Sequence, residues 1–568
     1  MTRNRFAPRW LRFWSLLFSI AALFAAASSI HAADIVVIEA DTDPVTEPET
    51  PNEVDTRDGI VVELELSGPI ADRSQASLFG AATTSIETLR DLIYRAAADD
   101  EVKGMILKLD NPMIGLAKSQ QVMRFIDHFK KQDKKVFIQF DSASTGIYIL
   151  ASAGDEVAMA PTNSAALVIP GIRMEIAFYK GLFDWLGIEA EMLQMGDYKG
   201  AGEPYTRESM SPELRREMNA LADSLYDGLA RTIAERRKGL TPKRVKKLID
   251  RGVFMPAEAR RAGLVDTLAY YQDYRTTVAD RLNATLDDDY ANGRKPELES
   301  TNPFTLFAKV FGPPQQGPET DAPKIAIVYA AGMIAPDEAE GLFGSGAAIT
   351  PAKMIEALDN ALEDDTIKGI VLRIDSPGGS ALASEIIWQK LREVDKKKPV
   401  VACLSDVAAS GGYYMAVGCR HIVAEPATIT GSIGVVGGKM NLRGLYHKIG
   451  IKKDVISRGK MAGLFSDYDA WSPSEKLLMY RLLGGVYSEF LKRVDSGRPD
   501  LTLKTVRGLA QGRVYTGSQA VKNGLVDELG GLAEAVAIAK REAAEADDDL
   551  EPDQPMEIKV LPRPKNPL

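Results

Sequence analysis

Ser410 lies in "SDVAASGGYYMA" (residues 405–416), a run of small residues with two glycines directly behind the serine. A hydroxyl placed like that can be a nucleophile if a neighbouring base takes its proton. Histidine is the usual base, and the chain has four: His31, His128, His421 and His447. None has a suitable setting. His31 falls in an apolar N-terminal segment, and His128 lies on the charged helix face "FIDHFKKQDKK". His421 starts the strand "HIVAE", and His447 sits among basic residues in "LYHKIG". The remaining choice is a lysine whose pKa is lowered by burial. Two candidates stand at matching points: Lys199 in "QMGDYKGAGEPYTRESMSP" and Lys460 in "ISRGKMAGLFSDYDAWSP". Lys199 has small and aromatic neighbours. Lys460 has Arg458 two residues away, which reads as a more exposed setting, although a nearby cation would also lower its pKa.

A second feature precedes the serine. In "DSPGGS" (375–380) a strand ends, a proline and two glycines turn the chain, and "ALASEIIWQKL" starts a helix. Backbone N–H groups at such a turn are free to point at an anion. Two of them make an oxyanion hole, and losing one donor costs about 3 kcal/mol. Ser410 falls 31 residues after Gly379, one strand–helix–strand step later. That step brings the two turns to the same end of one sheet, where Gly411 can offer a further N–H. Tight turns and small-residue helix contacts explain each motif equally well when it is taken alone.

The chain supplies its own control, because its two globular stretches are copies. "EVKGMILKLDNPMIG" (101–115) matches "TIKGIVLRIDSPGGS" (366–380) at an offset of 265 residues, and "STGIYILASAGDEVAMAP" (144–161) matches "ASGGYYMAVGCRHIVAEP" (409–426) at the same offset. The first copy has Met113 and Ile114 in place of Gly378 and Gly379, and Thr145 in place of Ser410. Glycines needed only for packing would be needed in both copies. Their joint loss marks the turn and the serine as one functional unit, kept in the second copy alone. Each copy alternates apolar strands with amphipathic helices, which implies a mostly parallel sheet covered by helices.

The flanks set the compartment. "MTRNRFAPRWLR" is basic, and the uncharged run Phe13 to Ile30 follows, close to the ~20 residues that cross a bilayer. Residues 1–33 are therefore a signal peptide or a retained anchor, and the rest of the chain is expected outside the cytoplasm. Residues 34–57 read as an acidic tether, 58–300 as the first domain, 301–323 as a linker, 324–541 as the second domain, and 542–568 as an acidic, proline-rich tail. The net charge of −10 without a long basic run argues against nucleic acid as a partner. The two cysteines, Cys403 and Cys419, read as small buried hydrophobes, and no cluster has metal-ligand spacing.

Together "LRIDSPGGSALASE", "DVAASGGYYMA", "TITGSIGVVGG", "GRVYTGSQAVKNGLVDELG" and "MGDYKGAGEPYTRESMSP" resemble the signal peptide peptidase A family in its long, tandem-domain form, from about residue 57 to 541. The resemblance implies an α/β chain of two tandem crotonase/Clp-protease-like domains, built from duplicated ββα spiral units after an N-terminal hydrophobic helix. It implies a Ser–Lys dyad with Ser410 as nucleophile and Lys199 as base, Ser432 orienting the lysine, and Gly379 and Gly411, with Gly378, forming the oxyanion hole. The strand around Gly431, Ile433, Gly434 and Val435 would pair with an extended substrate peptide. Lys460 stays open as the alternative base, because a lysine there also suits single-domain relatives. No cofactor or metal is implied. The implied substrates are leftover hydrophobic signal peptides at the non-cytoplasmic (periplasmic) face of a membrane, cut by a homo-oligomer, a tetramer. Two other readings are an acyl-CoA-handling crotonase relative, for which Glu385 is the one carboxylate near "PGGS", and a non-catalytic membrane scaffold.

Overall fold

A computed structural model describes residues 57–73, 84–290, 321–337, 348–547, 550–551 and 554–561. The expected signal or anchor segment and nearly all of the tether lie outside these residues. Among the described residues no helix is long and apolar enough to cross a membrane.

Apolar strands dictate two parallel sheets of matching topology. In the first half the spatial order is Thr285–Asp287, Ile60–Pro69, Val102–Met113, Lys135–Phe140, Glu156–Met159 and Thr267–Leu268, all parallel. In the second half the matching six strands, Glu557–Leu561, Lys324–Ala331, Ile367–Ser376, Val400–Ala409, His421–Ala424 and Glu528–Leu529, are again parallel, and Ile429–Gly431 adds to Val400–Ala409 in parallel with Val514–Thr516 antiparallel beyond it. Central strands are buried on both faces: Met105, Ile106 and Leu107 are fully buried, as are Ile370, Val371 and Leu372. That is the pattern expected of parallel sheets covered on both sides. Helix Leu116–Lys130 packs Val122, Phe125, Ile126 and Phe129 inward, and helix Ala381–Asp395 does the same with Ile387, Leu391 and Val394, the spacing of one helical face.

The duplication extends to polar ties. Tyr148 Oη donates to the Leu264 carbonyl and Tyr413 Oη to the Leu525 carbonyl, each at 2.7 Å. Arg237 forks onto Asp266 as Arg498 forks onto Asp527. Both halves carry a 25-residue helix, Pro212–Arg236 and Pro473–Gly497, each starting with proline behind a serine cap. One expectation fails here. Residues 542–568 are not all tail: helix Leu532–Ala546 runs into that stretch, and Glu557–Leu561 forms the edge strand of the second sheet. "EIKVL" is apolar on alternate positions and finds an open parallel edge at Lys324–Val328.

The described residues from Arg57 onward form one compact body. Two features join its halves. Arg373, almost fully buried, donates to Asp72 and Gln121, while Lys118 reaches Asp72, Asp375 and Asp406. The second feature is an antiparallel ribbon in which Val435–Asn441 pairs with Glu189–Met195, Val435 opposite Met195 and Asn441 opposite Glu189. This ribbon carries the chain of the first half onto the serine of the second.

Candidate active site

Ser410 ends strand Val400–Ala409 and caps helix Gly411–Ala416, with φ 54° and ψ −119°. A non-glycine residue rarely adopts that backbone, which costs of order 1–3 kcal/mol and is found at functional sites. Its N–H donates to the Gly431 carbonyl, and its own carbonyl accepts from Tyr414 N–H. The side chain is left pointing at a cavity of about 340 Å³.

Lys199 comes from the other half. It follows the ribbon strand Glu189–Met195 by four residues, and Tyr198 N–H bonds the Gln511 carbonyl, which fixes the loop. The ammonium group lies 3.2 Å from Ser410 Oγ, 2.8 Å from Ser432 Oγ and 2.7 Å from the Ser432 carbonyl oxygen. Only 6% of Lys199 is exposed. Burial pulls its pKa down to about 8, against the opposing pull of Glu217. Both terms follow from charge in a poorly solvated setting. No other cation touches Ser410 Oγ among the described residues.

The other candidate base lies apart from Ser410. Lys460 sits in an exposed turn and does not line the cavity. Of the histidines, His128 stacks on Tyr94 and His447 hydrogen-bonds Tyr468. His421 lies at the far end of its strand, opposite Val401, and His31 is outside the described residues.

The expected oxyanion hole is corrected at one glycine. Gly378 N–H donates to Ser376 Oγ at 3.2 Å, so it faces away from the cavity. A methyl group on Gly378 would stand 2.7 Å from Ser410 Cβ, so this glycine permits close approach and supplies no donor. Gly379 and Gly411 line the cavity, and their N–H groups have no acceptor among the described residues. Gly379 is bracketed by two bonds to Ile334, which accepts from Ser380 and donates to Gly378. The turn is thereby locked with the Gly379 amide beside Ser410.

The expected substrate strand is also only partly available. Gly431 is paired on both sides, with Ala409 and with Val514. Ile433 is fully buried and its carbonyl accepts from Gly512 N–H. Gly431 thus has no open edge for a peptide, and the Ile433 carbonyl is already used. Gly434 and Val435, with Val436, do border the cavity. Among the described residues, strand Val435–Asn441 pairs along one edge only.

Several contributors escaped the sequence reading. Leu483, Val486 and Phe490 of helix Pro473–Gly497 form the cavity's apolar wall with Val435 and Val436. Glu217 is buried, and burial lifts its carboxyl to about 7 while Val514 N–H, Arg513 and Lys199 pull it down. Its signal was visible: Leu214, Glu217 and Leu221 share one helical stripe. Glu385 is held by Tyr414 and by Arg493 and does not line the cavity, so the acyl-CoA reading loses its carboxylate. Both cysteines are buried and unpaired.

Comparison with known proteins gives one family. Peptidase family S49 matches residues 128–285 and again 392–546. The chain is 33% identical to the chloroplastic serine protease SPPA of Arabidopsis thaliana, across 86% of this chain and 70% of that protein. It is 30% identical to Protease 4 of Salmonella typhi across 84% and 77%, and 31% identical to Protease 4 of Haemophilus influenzae across 79% and 71%.

Proposed function

We propose, for a chain that belongs to peptidase family S49 and is a serine protease, that Ser410 and Lys199 form its catalytic dyad. The observation that carries this reading is the 3.2 Å contact between a buried lysine and a strained serine from opposite halves.

A neutral amine keeps two N–H groups and one lone pair. Ser432 offers two acceptors to Lys199, its carbonyl and its hydroxyl. With both N–H groups held there, the lone pair faces the Ser410 hydroxyl. Lys199 takes that proton as Ser410 Oγ attacks the peptide carbonyl. The oxygen anion that forms is received by the N–H groups of Gly379 and Gly411. The C–N bond then breaks, and Lys199 gives its proton to the leaving amine. Water, deprotonated by the same amine, attacks the acyl ester and frees Ser410. No cofactor takes part.

The open edge of Gly434–Val436 supports substrate binding as an added strand, and the wall of Leu483, Val486 and Phe490 supports apolar side chains near the cut. The substrates in this reading are leftover signal peptides and other hydrophobic exported peptides. The enzyme works as a homo-oligomer, a tetramer, on the periplasmic face of a membrane, held there by residues 13–30. The test is a serine-reactive phosphonate, followed by peptide mapping. Label on Ser410, lost together with hydrolysis of a hydrophobic fluorogenic peptide in Ser410→Ala, supports the dyad. Unchanged hydrolysis by Ser410→Ala refutes it.

A further inference from the structure

We infer, on the basis of the proposed Ser410–Lys199 dyad, that Arg513 and Tyr198 are positioning residues for its base: the guanidinium of one half, seated on the ring of the other, closes a clip that holds Lys199 against Ser432.

The clip is the turn formed by residues 510–514. Gln511 and Gly512 both have positive φ, 58° and 82°. That backbone is uncommon for a residue with a side chain, and it bends the turn so that it touches two neighbours at once. On one side the turn meets the residues that receive the lysine. Ser432 N–H donates to the Arg513 carbonyl at 2.6 Å, and Gly512 N–H donates to the Ile433 carbonyl at 2.7 Å. On the other side it meets the backbone of the lysine loop. Tyr198 N–H donates to the Gln511 carbonyl at 2.9 Å. A methyl group on Gly512 would stand 2.5 Å from Lys199 N and 2.6 Å from Lys199 Cβ. One on Gly196 would stand 2.3 Å from the Gln511 carbonyl carbon. A single turn of the second half therefore spaces the base from the serine that orients it.

Two side chains tie that turn to the first half. Glu217 Oε1 accepts from Val514 N–H at 2.6 Å. Arg513 lays its guanidinium on Tyr198, with Cζ 3.5 Å from the ring centroid. At that distance the group must lie over the face of the ring, in van der Waals contact. The next closest cation–ring contact among the described residues is 4.1 Å, Arg493 on Trp388. Tyr198 adjoins Lys199 in sequence and is only 9% exposed. A stack on this ring fixes the base without touching the reacting atoms.

The first half shows that the fold does not demand the arginine. Strand Val253–Phe254 pairs antiparallel with Leu167–Val168, as Val514–Thr516 pairs with Ile429–Gly431. Arg513 immediately precedes Val514, and Gly252 immediately precedes Val253. A methyl group on Gly252 would meet nothing closer than 3.8 Å. The strand pair thus forms with a glycine in an open setting. The arginine stands in the half whose turn touches the base.

The titratable neighbours decide which variant is clean. Glu217 and Arg216 face the stack from helix Pro212–Arg236, and Tyr515 faces it from strand Val514–Thr516. Tyr487 accepts from Gln511 N–H and lies near Asp197 of the lysine loop, while Tyr414 lines the cavity. Arg513 favours the charged form of Glu217, so the charge at 513 must be kept. Arg513→Lys keeps it and loses the planar group that stacks. Lys199 is then less tightly enclosed, and better solvation favours its charged form.

The test is the pH profile of kcat/KM for the full chain on a hydrophobic fluorogenic peptide. Arg513→Lys and Tyr198→Leu should each move the acid limb up by about one pH unit, a loss of about tenfold at neutral pH. Both variants break one contact, so the double variant should lose no more than the worse single one. Tyr198→Phe, which keeps the ring, should restore the parent limb. An unmoved limb in both single variants, a loss equal at every pH, or losses that multiply in the double variant overturns the inference. Lys199→Ala runs in the same series. If it hydrolyses the peptide, the dyad and the clip fall together; if it is silent while Arg513→Lys matches the parent, the clip alone falls.

Discussion

The two halves of this chain share a sheet order, paired tyrosine and arginine ties and matched long helices. They part at one turn. In the second half the strand stops at Ser376, the glycine turn follows, and Ser410 stands at φ 54°. In the first half the strand runs on to Met113, and Thr145 begins a helix behind the extended Ser144, without positive φ. The glycines behind these residues differ in the same way. A methyl group on Gly411 would lie 2.5 Å from Ser384 Oγ and 2.9 Å from Ile334 Cδ1, whereas on Gly146 the nearest atom is 4.0 Å away. Backbone strain at the serine position and crowding at the glycine behind it are therefore kept in one copy and relaxed in the other. A fold that needed them for stability would keep both. The first half instead places Lys199 3.2 Å from Ser410 Oγ.

The contrast can be broken by substitution, and the largest effect belongs to the hydroxyls. Ser410→Ala should lower kcat/KM by about 10⁴-fold or more, while Thr145→Ala leaves it within about twofold; comparable losses at both would make the first copy catalytic. Next come the glycines. Gly411→Ala pushes a methyl into Ser384 and Ile334 beside an oxyanion donor, for a loss of about 10²-fold or more. Gly146→Ala has room and should match the parent protein in peptide hydrolysis. Ser432→Ala removes one of two acceptors holding the neutral Lys199 amine, and a hydrogen bond of that kind predicts up to about a tenfold fall in kcat. A rise in KM alone, with kcat intact, would assign Ser432 to substrate binding instead.

The smallest effect is a shift in pH. Lys199 must be neutral to accept a proton, so kcat/KM should rise with pH through about 8. Charged Glu217 favours the protonated amine and holds that value up. Glu217→Gln removes this pull, and the acid limb should move to lower pH. A limb that stays in place would show that Glu217 serves only the Val514 backbone contact.

What the sequence revealed follows how local each feature is. The Ser410 and Gly379 turns were legible because strand ends, glycines and helix starts are written within a few residues. The role of Gly378 was misread, since a glycine reports the shape of a turn but not which N–H is left free; here Ser376 takes it. Gly431 and Ile433 were read as open edge because a lone apolar strand does not disclose that Val514 and Gly512 will pair with it. Glu557–Leu561 was lost among prolines and acids, its partner strand lying more than 200 residues earlier. The choice between Lys199 and Lys460 was beyond local reading altogether. It depends on the ribbon between Val435–Asn441 and Glu189–Met195, a long-range pairing that buries one lysine and leaves its counterpart in solvent.

That choice also decides most directly whether the two halves divide one active site. Lys199→Ala and Lys460→Ala should be compared on one hydrophobic fluorogenic peptide, with the assembly of each verified. A divided site requires that Lys199→Ala is silent and Lys460→Ala retains full activity. An active Lys199→Ala protein beside a silent Lys460→Ala protein would place the base in the second half and reduce the first to scaffold.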